Sequence, residues 1–350
     1  MKNIDNESRA RGSLLAGALG DALGYVVESL SYEEIKEKYG ECGITEPDLY
    51  KGEEALISDD TQMTLYTADA LLKNPSDEEL TDTVYEHYLD WLGTQIDFLI
   101  PHNIFIKPGI SSFNDVEELH SVREPGMTCI YSLYGRIKGS MDKPINDSKG
   151  CGGIMKTAPM GLYYGVRKDK SPSEIGNMSA EIAALTHGHE LGYIPTYCAA
   201  DIIARIMREG SDKELRDIIE EALKDTSERF EGFEHIEYFS EVTEKALRTF
   251  EESKTNGKTD EENIRYIGEG WVAEETLSIA IYCALKYEDD LKKALTAAVN
   301  HGGDSDSTGA VTGNILGAYL GYDSVPQEWL EHLELKELIE KVAINLVKLT

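Results

Sequence analysis

Glycine recurs at every fourth position in one stretch of the sequence, at Gly309, Gly313 and Gly317. A four-residue spacing places the three glycines on one face of an α-helix. That face carries no side chains, so it is flat and allows another element to pack close to the helix backbone. The stretch Thr308–Tyr319 therefore predicts a helix that is suited to close packing.

A second stretch with small side chains on one face lies near the start of the sequence. The residues of this face, at spacings of four, four, three and four, are Ser13, Gly17, Asp21, Gly24 and Glu28. The spacing predicts a helix over residues 8–30 with a small and acidic face. Small residues let a neighbour approach the backbone, and Glu28 then points into the same space. The alternative is tight helix packing with Glu28 in solvent.

Helical periodicity continues through most of the remaining sequence, and almost no segment shows the alternating pattern of a strand. The further segments that we predict to be helical are 58–72, 76–93, 211–225, 236–252, 271–287 and 288–299. Residues 94–127 contain three prolines and predict a long irregular excursion. No internal repeat is found. We therefore predict an all-α fold, with residues 1–350 as a single compact multi-helix domain whose loops carry the chemistry.

The composition excludes several classes of partner. At 350 residues, with 41% apolar and 28% charged residues, the chain can form an ordinary globule with a sizeable core. Its net charge of -31 argues against a nucleic-acid or anionic membrane surface, because phosphates would be repelled. The five cysteines are scattered and lack metal spacing, which favours reduced thiols in the cytoplasm. No signal-peptide pattern and no membrane-spanning stretch is apparent.

The segment Asn300–Gly309 concentrates oxygen-bearing side chains after a Gly-Gly pair. Asp304 and Asp306 alternate with hydroxyl residues, and such oxygens suit a hard cation. A solvated helix cap is the simpler alternative. An EF-hand is excluded, because its twelfth position would be Ile315 rather than a glutamate. An Asp-x-Asp-x-Thr phosphatase loop is disfavoured, because the preceding residues 294–299 have the pattern of a helix end rather than a buried strand.

A similar concentration of oxygens occurs at Ser58-Asp59-Asp60-Thr61, at the start of a predicted helix. A single N-cap needs only one such residue, whereas four in a row also fit a cation site.

Two weaker motifs lie in the middle of the chain. The run Lys149–Lys156 has three glycines before an apolar helix, which resembles a phosphate cradle, although a plain loop fits as well. His187 and His189 are two residues apart, which does not suit a zinc helix. Each of them is, taken alone, more typical of a hydrogen-bonded or capping histidine.

Taken together, these stretches resemble the ADP-ribosylglycohydrolase family, which includes the ADP-ribosyl-acceptor hydrolases and the dinitrogenase reductase-activating glycohydrolase. The segments that carry the resemblance follow one another in family order from residue 12 to about 330. They are Gly17–Gly24 with Glu28, Ser58–Thr61, Arg123 with Pro125-Gly126, Gly150–Met155, Leu185–His187 with Gly192-Tyr193, Gly268–Trp271 and Gly303–Ser307.

The resemblance implies an all-α fold around a binuclear Mg²⁺ or Mn²⁺ site. The residues that match the family's metal ligands are Ser58, Asp59, Asp60, Asp304, Asp306 and Ser307. Glu28 matches a glutamate near the scissile bond, and either Glu28 or Asp60 would handle the proton. The residues that match the ADP-ribose pocket are Gly150, Cys151, Gly152, Gly153, Ile154, Met155 and His187, with Trp271 as a stacking candidate.

The expected function is hydrolysis of the glycosidic bond between ADP-ribose and an acceptor, with an ADP-ribosylated arginine side chain favoured. The alternatives are a non-catalytic ADP-ribose-binding or crystallin-like protein, and a metal-dependent phosphatase or nucleotide hydrolase. Ser58 and Ser307 stand where many members have threonine, which keeps the hydroxyl. Cys151 replaces an asparagine or glycine of parts of the family, which would change a polar contact with the ligand.

Overall fold

A computed structural model describes residues 4–99, 109–210 and 212–348, and the regular secondary structure of these residues is helical. Over these residues the chain forms sixteen α-helices and no β-strand, which confirms the predicted all-α class. The helices are α1 (Asn6–Tyr25), α2 (Tyr32–Tyr39), α3 (Asp59–Leu72), α4 (Leu80–Leu99), α5 (Met127–Tyr134), α6 (Ala158–Arg167), α7 (Pro172–Ala184), α8 (Glu190–Glu209), α9 (Leu215–Arg229), α10 (Ile236–Ser253), α11 (Asp260–Ile267), α12 (Ala273–Lys286), α13 (Leu291–Val299), α14 (Ser305–Leu320), α15 (Gln327–Leu330) and α16 (Lys336–Val347). None of the helices in these ranges has both the length and the apolar character needed to cross a lipid bilayer.

Helices α1 and α14 pack backbone to backbone. A Cβ atom added at Gly12 would lie 2.2 Å from the carbonyl oxygen of Gly317, and one at Gly20 would lie 2.1 Å from that of Gly309. The earlier glycine of α1, Gly12, meets the later glycine of α14, Gly317. The two helices therefore run antiparallel. The flat face predicted for residues 308–319 is confirmed, and the first helix is what covers it.

The first helix differs from its prediction in two ways. It ends at Tyr25, where Val27 N–H donates to Gly24 O at 2.9 Å in a four-residue turn, so Glu28 lies on a turn and not on the helix. The face against α14 is also wider than predicted, since Gly12 and Gly20 join the predicted Ser13, Gly17 and Gly24. The end of α1 thereby meets the start of α14.

The predicted boundary between a helix at 76–93 and an excursion at 94–127 was wrong. Helix α4 begins later and continues through 94–99 without interruption. Residues 100–108 of the excursion lie outside the described residues. Its part from 109 onward contains one short 3₁₀ turn at Glu117–His120 and ends where α5 begins.

Most other boundaries are close to their predictions. The ends of α9, α10, α12 and α13 fall within four residues of the predicted positions, and the segment 326–348, for which no helix was predicted, contains α15 and α16. The larger of two apolar clusters takes buried side chains from α1 to α10 and from α12 to α16, whereas those of α11 belong to the smaller cluster.

Candidate active site

Five of the carboxylate residues predicted at the site, from three parts of the chain, line one cavity together with the exposed Glu124. They are Glu28, Asp59, Asp60, Asp304 and Asp306. The four aspartates are at most 4% exposed, and Glu28 is half-buried. Glu28, Asp304 and Asp306 each offer one oxygen that lies within 4.8 Å of the others. The antiparallel packing of α1 and α14 brings Glu28 to the two later aspartates.

Two helix N-termini converge on these carboxylates. Asp59 and Asp60 form the first turn of α3, while Asp306 lies in the first turn of α14 and Asp304 caps it by accepting from Ser307 N–H at 3.3 Å. The N-terminus of a helix carries partial positive charge, which favours carboxylates there. Each of the two pairs of aspartates is therefore stabilised by the N-terminus of its own helix.

Two hydroxyl groups connect the clusters. Ser307 Oγ donates to Asp60 Oδ2 at 2.8 Å, a contact between residues 247 positions apart. The Ser58 hydroxyl in turn hydrogen-bonds the carboxylate of Asp306. The residues matched to the family's metal ligands are thus brought together in one place.

The end of the excursion holds Asp59. Gly126 N–H donates to Asp59 Oδ2 at 3.0 Å, and Asp59 N–H donates to Arg123 O at 3.2 Å. Arg123 is itself fixed by an ion pair with Glu334 at 2.9 Å. Arg123 and Gly126 lie in the segment that was predicted as an irregular excursion, and their contacts with Asp59 were not predicted.

Asp21 is a supporting residue that the sequence reasoning missed. Its fully buried carboxylate accepts from Ser58 N–H at 3.0 Å and Thr61 N–H at 3.1 Å, and also from the Thr61 hydroxyl. It therefore joins α1 to the start of α3. Its place on the small face of the first helix was visible, and an acid on a closely packed face is the signal that could have identified it.

Burial and the neighbouring acidic groups strongly disfavour the ionised form of these carboxyl groups. Burial raises the pKa of Asp59, Asp60 and Asp304 well above the usual range, and the negative charge of Asp306 raises each of them further. Burial, again followed by Asp306, raises the pKa of Glu28 to about 8. Positive charge in the cavity would reverse these effects.

Basic side chains supply little of that charge, since the buried Lys156 lowers the pKa of Asp59 by less than Asp306 raises it. Within the described ranges, no lysine or arginine forms an ion pair with the four aspartates, and the nearby Arg123 and Lys149 pair with Glu334 and Glu274 instead. Buried acids need either protons or cations to be tolerated. An oxygen-only set of this kind fits Mg²⁺ or Mn²⁺.

The glycine-rich loop lies on one wall of the cavity. Gly150, Cys151, Gly152 and Met155 line it, whereas a Cβ at Gly153 would point at Gly192 O, 2.5 Å away. Ile154 is also buried and is not among the lining residues.

Five amides of this loop already have partners, among them those of Cys151, Ile154 and Met155. Cys151 N–H donates to Trp271 O at 3.3 Å, and the N–H groups of Ile154 and Met155 donate to Cys151 O at 2.9 and 3.2 Å. These three groups do not form the open phosphate cradle that the glycines suggested. The part of the loop that faces the cavity is the edge from Gly150 to Gly152, with Met155 beside it.

The other predicted pocket residues differ in their placement. His187 is buried and lines the cavity. The Cys151 thiol contacts Asp304 and Ser307, so the position that departs from the family pattern touches the acidic cluster itself. The Trp271 side chain is 44% exposed and is absent from the lining, although its backbone holds the glycine loop.

The cavity also has wall residues that were not predicted, namely Glu124, Gly126, Met127, Thr128 and Cys129. Its volume is about 120 Å³. Sites for small ligands usually enclose about 300–1,000 Å³, so this cavity is smaller than a typical small-ligand site.

Comparisons with known proteins identify the family. The family model for ADP-ribosylglycohydrolase matches residues 2–350. The ADP-ribosylhydrolase ARH3 of Bos taurus is 25% identical over 97% of this chain and 92% of its own length. The ADP-ribosyl-dinitrogen reductase glycohydrolase of Rhodospirillum rubrum is 24% identical over 94% of this chain and 91% of its own.

The same fold occurs among solved structures. An ADP-ribosylglycohydrolase-related protein complex matches with a TM-score of 0.59 at 23% identity, covering 98% of both chains. The match of the family model to nearly every residue, together with the helical fold, shows that this chain belongs to the ADP-ribosylglycohydrolase family of hydrolases.

Proposed function

We propose that this protein hydrolyses the glycosidic bond between ADP-ribose and an arginine side chain of an acceptor protein, with two Mg²⁺ or Mn²⁺ ions. The observation that carries the proposal is the convergence of five carboxylates on one small cavity beside a glycine-rich loop. Family membership supports the cleavage of ADP-ribose from an acceptor. Arginine is favoured because a guanidinium cation is attracted to a chain of net charge -31.

The residues that would hold the ions are Ser58, Asp59, Asp60, Asp304, Asp306 and Ser307. When bound, such ions neutralise the carboxylates, lower the pKa of water and orient ribose hydroxyls. Because the cavity holds only about 120 Å³, the distal ribose would enter it. The diphosphate and adenine would then lie outside, over the edge from Gly150 to Gly152 and toward Trp271.

Glu28 is best placed to move the proton. It is the least buried of the five predicted carboxylates and lies on a turn at the cavity. Hydrolysis adds the hydroxide of water to the ribose C1″ atom and returns a proton to the departing arginine nitrogen. A carboxyl group within reach of both can take the proton from water and deliver it to nitrogen. Asp60 is the second candidate, but it already accepts from Ser307 Oγ.

The test is a comparison of acceptor linkages. Peptides of one sequence, mono-ADP-ribosylated on arginine, serine or glutamate, are incubated with the protein and Mg²⁺ or Mn²⁺, and products are identified by mass spectrometry. We expect free ADP-ribose and unmodified arginine peptide, with the serine and glutamate linkages cleaved more slowly. Excess EDTA should abolish the reaction.

Matched variants separate the site from general effects. Asp304→Asn should abolish turnover, whereas Asp217→Asn on the exposed surface of α9 should leave it unchanged. Release of inorganic phosphate without ADP-ribose would indicate the phosphatase alternative. Tight ADP-ribose binding without any cleavage would indicate a non-catalytic binding protein.

A further inference from the structure

A buried lysine behind the cavity has no part in the hydrolysis described above. Lys156 has no exposed surface, and its ammonium donates to Thr186 Oγ1 at 2.8 Å and to Cys129 Sγ at 3.6 Å. It also lies 4.9 Å from the centre of the Tyr88 ring. Complete burial of a lysine is rare because its charge loses hydration. The three contacts fix the ammonium in one position.

The Thr186 hydroxyl connects this lysine to His187. Thr186 Oγ1 lies 2.9 Å from His187 Nδ1 and 3.4 Å from Ala183 O. Burial lowers the pKa of Lys156, and its contact with Cys129 raises it. As an ammonium, Lys156 can only donate, so Oγ1 accepts from it and its own hydrogen is left to donate. The nearer acceptor is Nδ1. A neutral imidazole that accepts at Nδ1 carries its hydrogen on Nε2.

The ring is neutral, and its Nε2 edge faces the glycine loop. Burial, and then the charge of Lys156, hold the pKa of His187 well below its usual range. A Cβ added at Gly152 would lie 3.1 Å from Nε2, and one at Gly150 would lie 3.5 Å away. The two glycines therefore leave Nε2 open to the cavity, where a side chain would cover it.

We propose that Lys156 is a positioning residue that acts through Thr186 to hold His187 as the Nε2–H tautomer, so that the ring gives one neutral hydrogen bond to an oxygen of bound ADP-ribose. The identity of that ligand rests on the proposed function. The tautomer does not, because it follows from contacts within the chain.

The first experiment measures the tautomer directly, without any ligand. Long-range ¹H–¹⁵N correlation spectra of the ¹⁵N-labelled protein distinguish the two neutral tautomers and the imidazolium, and the His187 signals are those lost in His187→Gln. We expect a protonated Nε2 and an unprotonated Nδ1 at neutral pH. A hydrogen on Nδ1, or a charged ring, would overturn the proposal.

The second experiment removes the hydroxyl without changing the shape of the side chain. In Thr186→Val, calorimetry with Mg²⁺ should show ADP-ribose binding weakened roughly 3- to 10-fold, the range for one neutral hydrogen bond. The matched control Thr186→Ser keeps the hydroxyl and should bind as the wild type does. The KM should rise with kcat nearly unchanged, because the contact lies away from the reacting bond.

Lys156→Met tests the lysine itself and should weaken binding to a similar extent, with a mixed tautomer in the spectrum. Thermal melting shows whether each variant is folded, and if neither folds, the wild-type spectrum still decides the question. Wild-type affinity in a folded Thr186→Val protein would overturn the proposal. A wild type that does not bind ADP-ribose would overturn the proposed function and this choice of ligand, but not the tautomer.

Discussion

Among single residues, Glu28 differs from the aspartates that surround it. It lies on a turn rather than at a helix start, and it is more exposed than Asp304 and Asp306, with which it shares a 4.8 Å cluster of oxygens. That position allows two roles, which are transfer of a proton and coordination of an ion. We assign it proton transfer, because the aspartates already form a hydrogen-bonded set without it.

We predict that Glu28→Gln abolishes turnover and preserves binding. The amide keeps the size of the side chain but cannot exchange a proton, so kcat should fall by about 100-fold or more. The Kd values of ADP-ribose and Mn²⁺, measured by calorimetry, should change by less than about 2-fold. A parallel loss of Mn²⁺ affinity would show instead that Glu28 is a ligand.

The raised pKa values predict how the metal-free protein responds to pH. Burial raises the pKa of Asp21 from 3.8 to about 7 and that of Glu28 from 4.5 to about 8. A carboxyl whose folded-state pKa is raised stabilises the fold relative to the unfolded chain at low pH, and this contribution is lost as pH rises through the folded value. In EDTA, the Tm should therefore fall between pH 5.5 and about 8.5.

Two comparisons check the origin of that fall. Glu28→Gln should reduce its slope, whereas Glu37→Gln, an exposed residue of α2, should not. Saturating Mg²⁺ should reverse the slope, because ions bind carboxylates only after their protons leave. A Tm that rises with pH in EDTA would contradict the interpretation of the acidic cluster.

At the scale of elements, the packing of α1 on α14 sets the geometry of the site. The glycines let the two backbones touch, and their register fixes which residues of one helix meet which residues of the other. A Cβ at Gly24 would lie 2.3 Å from Asp306 N, so the end of α1 contacts the first turn of α14. Any separation of the helices would move Asp306 away from α3.

We predict that Gly313→Ala destabilises the protein even though alanine favours helices by about 1 kcal/mol. The new Cβ would lie 2.1 Å from Ala16 O, a backbone atom that cannot turn aside. The free energy of unfolding should fall by about 3 kcal/mol. The measurement is urea unfolding, followed by melting with and without Mn²⁺.

Gly232→Ala is the control for this experiment. Gly232 has a φ of 88° with open space around its Cβ position, so the change costs only backbone strain of about 1–2 kcal/mol. It should leave stabilisation by Mn²⁺ intact, while Gly313→Ala should reduce it. A Gly313→Ala protein as stable as the wild type would mean that the two helices have room to separate.

The sequence predicted the helices better than the contacts between them. The oxygen-rich starts of α3 and α14 were identified because capping chemistry is local and involves residues within one turn. The flat face of 308–319 was also identified, but its partner was not, because spacing describes a face and not what covers it. The extension of α4 through 94–99 was missed because the prolines that follow it were assigned too wide an influence.

The same distinction holds inside the site. Asp21 was missed as a support because its role arises only from its contact with Ser58 and Thr61 on another helix. The sequence suggested more free amides in the glycine-rich loop than the structure has. The hydrogen bond from Cys151 N–H to Trp271 O joins residues about 120 positions apart, so no local sequence pattern indicates it. The assignment of ligands to metal remains a prediction.

For the whole molecule, the candidate site depends on distant parts of one chain. The carboxylates come from the turn after α1, from α3 and from α14, and the supporting Glu334 lies beyond α15. A substitution among the carboxylates of α3 should therefore also affect those of α14, and the reverse.

We predict that Asp60→Asn and Asp306→Asn are not additive. Changes around a metal site typically cost about 10–100-fold, so the loss of a ligand should cost at least that in activity. Since both residues serve one cluster, the double variant should be little worse than either single one. The Tm of all four proteins is measured against Mn²⁺ concentration, and the metal-induced rise should shrink in every variant.

Asp217→Asn is the control and should retain the full rise. Independent, additive losses, or an unchanged rise in Asp60→Asn, would mean that the two stretches form separate sites.

The packing of α1 on α14 has a consequence for synthesis on the ribosome. Ser305 is translated 280 residues after Tyr25, which at about 5–20 residues per second is on the order of 15–60 s. Throughout that interval the glycine face of α1 has nothing to pack against, and Asp59 and Asp60 have no counterparts. A nascent chain cannot complete this site in stages, so a transcript truncated before α14 would yield no partly active enzyme.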